Sequence, residues 1–181
     1  MKLALVTDLH TNREAVSAVM VHAQAQGAQR CAFRGDDVGY GADPAWVVDR
    51  VREHVSRGTI AVRGNHDEAV AIGPRPTMVP DARQVVEWTR GQLNAEQLAF
   101  LAAGPTSTAE GDCLFVHANA YAPADWVDVQ GRAEAIRSLH STGQRFTFCG
   151  HVHDPMLFHL TATGKAGDFT PIPGVPIPLS P

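Results

Sequence analysis

The sequence predicts a mixed α/β fold, with parallel strands and crossover helices first and antiparallel strands later. Over residues 1–62, short apolar runs alternate with amphipathic stretches in the order strand, helix, strand, helix, strand. This order calls for a parallel sheet covered by helices. Further along, Thr106 to Ala109 and Cys113 to Val116 flank Glu110-Gly111-Asp112, which indicates a hairpin. The chain has 181 residues, of which 44% are hydrophobic and 19% charged, and this is typical of one folded domain.

The first predicted helix follows a strand at residues 3–6. Thr11 and Glu14 fit a capping box, and apolar residues at helical spacing continue as far as Gly27. Asp43-Pro44 is expected to open the second helix, because proline favours the first helical position. The other elements predicted for this half are strands at residues 30–33 and 59–62.

The second half of the chain starts with a proline-rich loop at residues 73–80. We expect one domain over residues 1–169. The last twelve residues, 170–181, hold five prolines and are predicted to form a tail that is at most an edge strand or an extended arm, because proline cannot donate a ladder hydrogen bond. The elements predicted in this half are helices at 81–90, 94–103 and 132–140, a hairpin of 106–109 with 113–116, a strand at 146–149, and a closing pair at 156–160 and 169–172.

The composition argues against several functional classes. The net charge is −4 and there is no basic run, so a docking surface for duplex nucleic acid is not expected. No apolar run reaches the length that spans a membrane, and a run of only four apolar residues precedes Thr7-Asp8, so neither a membrane segment nor a secretory signal is expected. The three cysteines lie in apolar runs, which indicates reduced core residues. We therefore expect a cytoplasmic protein.

Side chains that bind metals follow five apolar runs directly. In α/β sheets ligands gather at the carboxyl ends of strands, so these side chains are expected to converge. Asp8 and His10 are two residues apart, as are His151 and His153, and an extended backbone would point both members of each pair the same way. The full set is Asp8, His10, Asp36, Asn65, His117, His151 and His153.

This donor set contains two carboxylates, four imidazoles and one amide oxygen. It suits manganese, iron, zinc, nickel or cobalt better than calcium or magnesium, which prefer oxygen ligands alone. Seven donors exceed the needs of one site with open positions, whereas two ions that share a carboxylate use all of them. We therefore expect two divalent transition-metal ions, with manganese as the first choice.

Two such ions, about 3.5–4 Å apart, suit the hydrolysis of phosphate esters. They produce hydroxide from a bridging water near neutral pH and stabilise the charge that grows on the phosphoryl oxygens. The leaving alkoxide needs a proton, and His66, next to Asn65, is the candidate general acid. Asp67 is the candidate that orients the His66 ring and keeps it protonated.

The chain resembles the calcineurin-like metallophosphoesterases in a set of ordered motifs from residue 1 to roughly 165. The motifs are Asp8-Leu9-His10, Gly35-Asp36-Asp37, Gly64-Asn65-His66-Asp67, His117 and Gly150-His151-Val152-His153. The resemblance implies a four-layer sandwich of two mixed β-sheets flanked by helices, with His66 as the catalytic histidine. It also implies a first metal held by Asp8, His10, Asp36 and His153, and a second held by the bridging Asp36, Asn65, His117 and His151.

Within that superfamily, Gly35 to Gly41 resembles the motif of a bacterial branch of small phosphodiesterases and phosphatases, some related to diadenosine tetraphosphatases. Protein Ser/Thr phosphatases carry an arginine that is missing here, and Gly39 stands where purple acid phosphatases have a tyrosine ligand. Members of the branch usually continue through several strands after the last motif, whereas this sequence ends at Pro181. We therefore expect an open sheet edge that pairs with another copy into a homo-oligomer.

Two functions stay open at the level of the sequence. One is a binuclear metal-dependent phosphoesterase acting on a small phosphate ester such as a nucleotide. The other is a non-catalytic metal-binding scaffold with the same fold, although such relatives usually lose ligands that are all present here. The loops at residues 73–80 and 121–131 are expected to shape the pocket. For Tyr40, packing within its own loop is favoured over stacking on a substrate base.

Overall fold

Three parallel strands form the first sheet of the computed structural model, which describes residues 1–76, 78–161 and 163–179. The strands pair in the order β1-β2-β3. One helix connects each strand to the next, as the alternating pattern predicts. The elements are β1 (Leu3–Val6), α1 (Arg13–Ala25), β2 (Arg30–Phe33), α2 (Pro44–Ser56) and β3 (Ile60–Ala61).

One face of this sheet is covered by α1 and α2. Val6 and Phe33 from the strands pack with Val16 of α1 and with Val47 and Val51 of α2. The two valines of α2 are fully buried and lie one helical turn apart, so they form the stripe that an amphipathic helix turns toward its sheet.

Three further helices pack beside α2, namely α3 (Asn65–Ile72), α4 (Pro80–Gly91) and α5 (Ala95–Ala103). Val48, Val70, Val86 and Leu101 are buried where they meet. The sequence patterns did not predict α3. Its N-cap is Gly64, which has no side chain to signal a helix start, and Asp67 supplies the missing cap by accepting a hydrogen bond from the Gly64 N–H at 2.9 Å.

The second sheet is mixed and packs on the other face of the first. Its strands are β4 (Ser107–Glu110), β5 (Cys113–Val116) and β6 (Phe146–Phe148); β4 runs antiparallel to β5, and β5 runs parallel to β6. Ala32 and Val62 of the first layer meet Phe115, which stacks on Phe148 with 5.8 Å between ring centroids. Two packed sheets with helices outside confirm the predicted mixed α/β fold class.

A short antiparallel pair, β7 (Leu157–Leu160) and β8 (Ala166–Phe169), follows, and α6 (Arg132–His140) lies against it. The prediction of a strand at residues 169–172 was wrong. Proline at positions 171 and 173 cannot donate a ladder hydrogen bond, so the strand lies on the amino-terminal side of them. The tail forms no helix or strand over residues 170–179, and its last two residues, Ser180 and Pro181, lie outside the described range.

Helix α1 starts one residue later than the sequence indicates. Asn12 is the N-cap, and its Oδ1 accepts a hydrogen bond from the Ala15 N–H at 2.9 Å. Thr11 is fully buried in the preceding loop with φ 55°, so the predicted Thr11–Glu14 capping box was wrong. All three cysteines are free, as expected. No helix within the described residues is long and apolar enough to cross a membrane.

Candidate metal centre

The structure brings the seven predicted donors together at the carboxyl-terminal ends of β1, β2, β5 and β6 and the start of α3. Six of them form two groups, each with ligand atoms within 4.8 Å of one another. Asn65 joins the second group, because its Oδ1 lies 3.0 Å from Nε2 of His117. The first group is Asp8, His10 and His153, and the second is Asp36, His117 and His151.

Asp36 connects the two groups through one oxygen. Its Oδ2 lies 3.2 Å from Nε2 of His117 in the second group and 3.9 Å from Nε2 of His10 in the first. The other oxygen, Oδ1, accepts a hydrogen bond from the backbone N–H of His66 at 2.9 Å. This bond holds the carboxylate so that Oδ2 stays between the groups, which is the position that a bridging ligand takes.

Three of the histidines place one ring nitrogen on a backbone carbonyl. His10 Nδ1 lies 3.1 Å from the Val38 carbonyl oxygen, and His117 Nδ1 lies 2.8 Å from that of Arg34. His151 uses its Nε2 instead, at 3.0 Å from the Trp126 carbonyl oxygen. A carbonyl only accepts, so each of these nitrogens carries the ring proton and the opposite nitrogen keeps a lone pair for a cation. The donor set therefore fits a metal centre.

The first group also crowds acceptor atoms into a small space. Nε2 of His10 lies 3.0 Å from Nε2 of His153, which in turn lies 3.2 Å from Oδ1 of Asp8. Because His10 gives its ring proton to Val38, its Nε2 presents a lone pair to this group. A lone pair beside a carboxylate is an arrangement that a cation stabilises.

Charge pairs shift the pKa values of Asp36 and His117 in opposite directions. Burial alone would lower the pKa of His117, but its hydrogen bond to Asp36 and the charge of that carboxylate outweigh burial and raise it. Burial alone would raise the pKa of Asp36, and the same bond to His117 turns the shift downward. The carboxylate is therefore ionised at neutral pH, the state in which it can bind metal.

Burial raises the pKa of two neighbouring carboxyl groups, those of Asp37 and Asp67. Asp37 is almost fully buried, and desolvation together with the charges of Asp67 and Asp36 raises its pKa well above the usual range. For Asp67, burial and the charge of Asp36 raise the pKa to about 6. The raised pKa of Asp37 means that this group adds less negative charge to the centre than Asp36 does.

The backbone of the site is strained at five of the seven donors. They have positive φ, a conformation that costs a non-glycine residue about 1–3 kcal/mol. The condition of an extended backbone at the paired donors is not met, and left-handed turns aim their side chains instead. The angles are 54° at Asp8, 45° at His10, 54° at Asp36, 73° at His151 and 58° at His153.

Two glycines let these turns approach one another closely. A Cβ on Gly64 would overlap Oδ1 and the backbone nitrogen of Asp36, and a Cβ on Gly150 would overlap the side chains of Thr7 and Asp8. Both positions need glycine because of this close approach, so the glycines of the two sequence motifs serve packing beside the donors.

His66 lies at the edge of the centre with its ring almost buried. Its ring centroid is 5.2 Å from that of His10, and its Nδ1 has no hydrogen-bond partner within the described residues. The pKa of His66 is lowered. Burial is the largest cause of this shift, and the charge of Asp36 opposes it. The ring is therefore neutral at neutral pH in the absence of other charges.

Asp67 does not orient the His66 ring, contrary to the sequence-based expectation. Its Oδ1 accepts from the Val38 N–H at 3.1 Å and its Oδ2 accepts from the Gly64 N–H at 2.9 Å. Asp67 thus joins the loop after β2 to the start of α3, and both segments carry donors. Its position at the third residue of a helix explains the difference, since a capping carboxylate turns toward the backbone.

Sequence reasoning missed the residues that support the donors. The backbone carbonyls of Arg34, Val38 and Trp126 have no signal in a sequence, because any residue supplies a carbonyl. Asp128, whose Oδ1 lies 3.0 Å from Nε2 of His151, belongs to the loop that was expected to shape the pocket. From the other loop with that expectation, Arg75 donates a hydrogen bond to the Ala124 carbonyl at 2.9 Å; Thr77 of that loop lies outside the described residues.

Tyr40 lies on the solvent side of the candidate metal centre. It is 63% exposed, and its ring centroid lies 4.6 Å from that of His10 and 4.6 Å from that of His66. The expectation that it packs within its own loop was wrong. Its φ of 64° turns the side chain out of the loop and over the two histidines.

Two packed sheets thus carry a two-part set of possible metal-binding side chains at their strand ends. The chain belongs to the calcineurin-like phosphoesterase superfamily, whose model matches residues 1–167.

Comparison with individual proteins agrees with this family. The chain is 29% identical over 161 residues to the uncharacterized protein MJ0912 of Methanocaldococcus jannaschii, covering 86% of this chain and 63% of that protein. It is 31% identical to a metallophosphoesterase of known structure from Sphaerobacter thermophilus, with a TM-score of 0.73, covering 86% of this chain and 62% of the other. The chain thus spans less than two thirds of the length of these two relatives.

A third similarity concerns the fold alone. The hypothetical protein PH1004 from Pyrococcus horikoshii OT3 superimposes with a TM-score of 0.63 at 15% identity, covering 93% of this chain and 86% of that chain.

Proposed function

We propose that this protein is a metal-dependent phosphoesterase with a binuclear centre. One observation carries the proposal: Oδ2 of Asp36 lies between a group made of Asp8, His10 and His153 and a second group around His117. A single-ion site does not require a carboxylate oxygen shared by two groups of donors, whereas two neighbouring ions would use such an oxygen as a bridging ligand. Membership of the calcineurin-like phosphoesterase superfamily supports the same reaction class.

The donor set fits divalent transition metals, and manganese is the metal we expect first. Four imidazoles with two carboxylates favour manganese, iron, zinc, nickel or cobalt over calcium and magnesium. Two such cations supply Lewis acidity, which lowers the pKa of a water molecule and neutralises charge on phosphoryl oxygens. The residues of the chain do the rest: they hold the donors in place, fix their tautomers and supply a proton.

His66 is the residue that we assign to proton donation. Its Nδ1 is buried and makes no hydrogen bond to the described residues, so no acceptor among them holds a proton at that nitrogen. Burial lowers the pKa of the ring, which weakens proton uptake by the free protein. A bound phosphate ester brings negative charge next to the ring and raises its pKa, so protonation accompanies binding of substrate. Asp67 contributes by holding the two loops together.

The substrate that we propose is a small phosphate ester, of which a nucleotide is one example. The direct test is hydrolysis of p-nitrophenyl phosphate and bis-p-nitrophenyl phosphate after loading with manganese, cobalt, nickel or zinc. Chelator-treated protein is the control, and metal content is measured by elemental analysis on the same samples. We expect two ions per chain and turnover that depends on them.

Two other results would contradict the proposal in different ways. Two bound ions without turnover of either ester would point to the non-catalytic scaffold. A protein that retains fewer than one ion under all four metals would contradict the binuclear centre itself.

A further inference from the structure

A groove of about 650 Å³ borders the first group of donors. Asp8 and His10 are among the residues that line it. One wall is formed by residues 40–43, which follow the loop of the bridging aspartate, and the other wall is the first half of α1 together with its N-cap Asn12. The groove is therefore next to donors that would hold a phosphoryl group, and it has room for the organic part of an ester.

The ring of Tyr40 forms one side of the groove beside the donors. It contacts His10 and His66, yet 63% of the residue stays exposed. A large aromatic side chain that is held by two neighbours and open to solvent is a stacking platform whose geometry is set before a ligand arrives. The positive φ of 64° at Tyr40 is an unfavourable backbone conformation, and it places the ring in this position.

The wall formed by α1 carries apolar side chains. Ala15, Val16 and Val19 of α1 line the groove, and Val19 is 44% exposed although it is a large aliphatic residue. Tyr40 on one side and this aliphatic strip on the other give the groove two surfaces that suit a flat, weakly polar group.

The charges in the groove are of one sign. Besides Asp8, the acidic residues Glu14 and Asp43 line it, and no lysine or arginine does so within the described part of the chain. Arg13, which is next to Glu14 in the sequence, lies over the ring of Trp46 at 5.3 Å from its centroid. A second or third phosphate in the groove would meet two carboxylates and no cation, so it would be repelled.

We propose that this groove binds a planar, uncharged aromatic group of a substrate with a single phosphate, and that Tyr40 stacks on that group. The proposal rests on the proposed phosphoesterase function and adds the substrate class to it. A nucleobase and a simple aryl ring share this chemistry. Substrates that carry several phosphates in a row, such as dinucleoside polyphosphates, are disfavoured by Glu14 and Asp43.

The test compares AMP with ribose 5-phosphate, which has the same phosphate and sugar but lacks the base. Stacking of one base on an aromatic side chain predicts a kcat/KM for AMP about tenfold higher or more. Tyr40→Leu should reduce this ratio to about one or two, whereas Tyr40→Phe should retain it because the ring remains. Trp88→Leu, at a half-exposed tryptophan on α4, is the matched control and should keep the wild-type ratio. Phenyl phosphate distinguishes a general aryl site from one that requires a nucleobase.

The charge of the groove is tested with ADP against AMP. We expect a lower kcat/KM for ADP, and we expect the combined Glu14→Gln and Asp43→Asn substitutions to narrow the difference. A preference of the wild-type protein for ADP would overturn this part of the proposal.

Failure of the groove proposal is distinct from failure of the proposed function. Equal turnover of AMP and ribose 5-phosphate, or an unchanged ratio in Tyr40→Leu, overturns the groove proposal and leaves the phosphoesterase intact. If neither ester is hydrolysed, the affinities of the metal-loaded protein for AMP and ribose 5-phosphate are measured by calorimetry. Equal affinities overturn the groove proposal. Tighter binding of AMP that is abolished in Tyr40→Leu supports the groove proposal.

Discussion

Oδ2 of Asp36 lies 3.2 Å from Nε2 of His117, and the two residues shift each other's pKa in opposite directions. In the free protein the charge of Asp36 favours a second ring proton on His117, at Nε2, and that proton would balance the carboxylate. A divalent ion between them would do the same with more charge, so metal binding at this pair is expected to release a proton. The pair therefore links metal affinity to pH, with tighter binding as the pH rises.

Asp36→Asn is expected to remove the metals while leaving the fold in place. The amide is the same size and its oxygen can still accept from the His66 N–H, but its charge is gone and it bridges cations poorly. We expect fewer than one ion per chain by elemental analysis, and a loss of activity of at least about 10²-fold. Asp49→Asn, an exposed position on α2, is the control. Retention of two ions in Asp36→Asn would contradict a bridging role.

Asp67→Asn is expected to destabilise the protein and weaken metal binding together. Asp67 accepts one hydrogen bond from Val38 and one from Gly64, and an asparagine has one acceptor oxygen for the two donors. The buried donor that is left unpaired costs about 1–3 kcal/mol, measured as the loss of unfolding free energy in urea. Metal affinity should fall about 10–100-fold, since the loops that carry the donors lose their common support.

The control for this prediction is Asp112→Asn, in the exposed turn of the hairpin, which should change neither quantity. If Asp67→Asn instead keeps its stability and only alters the pH profile of turnover, Asp67 acts on His66 and not on the backbone.

The donors themselves could be predicted from the sequence because their signal is local. An apolar run followed at once by Asp, Asn or His marks a strand end, and the ends of neighbouring strands meet at one edge of the sheet. Asp8, His117 and His151 are brought together by this rule although they are far apart in the chain. The sequence pattern also predicted the bounds of β2 and α6 to the residue.

The support of the donors could not be predicted, because it depends on backbone geometry that many sequences share. The left-handed turn at Asp36 depends on its close packing against Gly64, which is distant in the sequence. The position of the ring proton on His10 is fixed by the backbone carbonyl of Val38. The role of Asp67 was missed for a related reason. In sequence it follows His66, but in space its carboxylate turns back along α3 and reaches the helix start.

His54 is expected to make stability depend on pH away from the metal centre. It lies on α2 with its ring 5.5 Å from that of Phe33, and burial, opposed by the charge of Glu53, lowers its pKa. The folded protein thus favours the neutral ring. This contribution to stability is complete above the unfolded pKa of about 6.5 and declines as the pH falls toward the lower folded pKa.

Replacing His54 by leucine removes this titration. The urea midpoint of His54→Leu should fall less than that of the wild type between about pH 7 and about pH 5. His22→Leu, at an exposed position on α1, should follow the wild-type curve. Parallel curves for wild type and His54→Leu would contradict the assignment.

The first sheet is expected to support self-association. Within the described residues β1 lies at its edge, and Leu5 on that strand is 36% exposed. An unpaired strand edge invites another strand, so we expect a homo-oligomer in sizing with light scattering. Leu5→Lys should shift the population toward monomer, whereas Val21→Lys, at an exposed position on α1, should not. A wild-type protein that is monomeric at every concentration would contradict this expectation.

His66→Gln is expected to retain both metals and lose turnover, because the ring lies at the edge of the centre and is not among its donors. Proton donation to the leaving group contributes about 10²–10⁴-fold, and it matters most when that group is a poor one. Alkyl phosphate esters should therefore lose about 10²–10⁴-fold in kcat, whereas esters of p-nitrophenol, whose anion leaves without a proton, should lose less than about tenfold. Elemental analysis checks the metals, and His22→Gln on the surface of α1 is the control. An equal loss for both classes of ester would show that His66 positions the substrate instead of donating the proton.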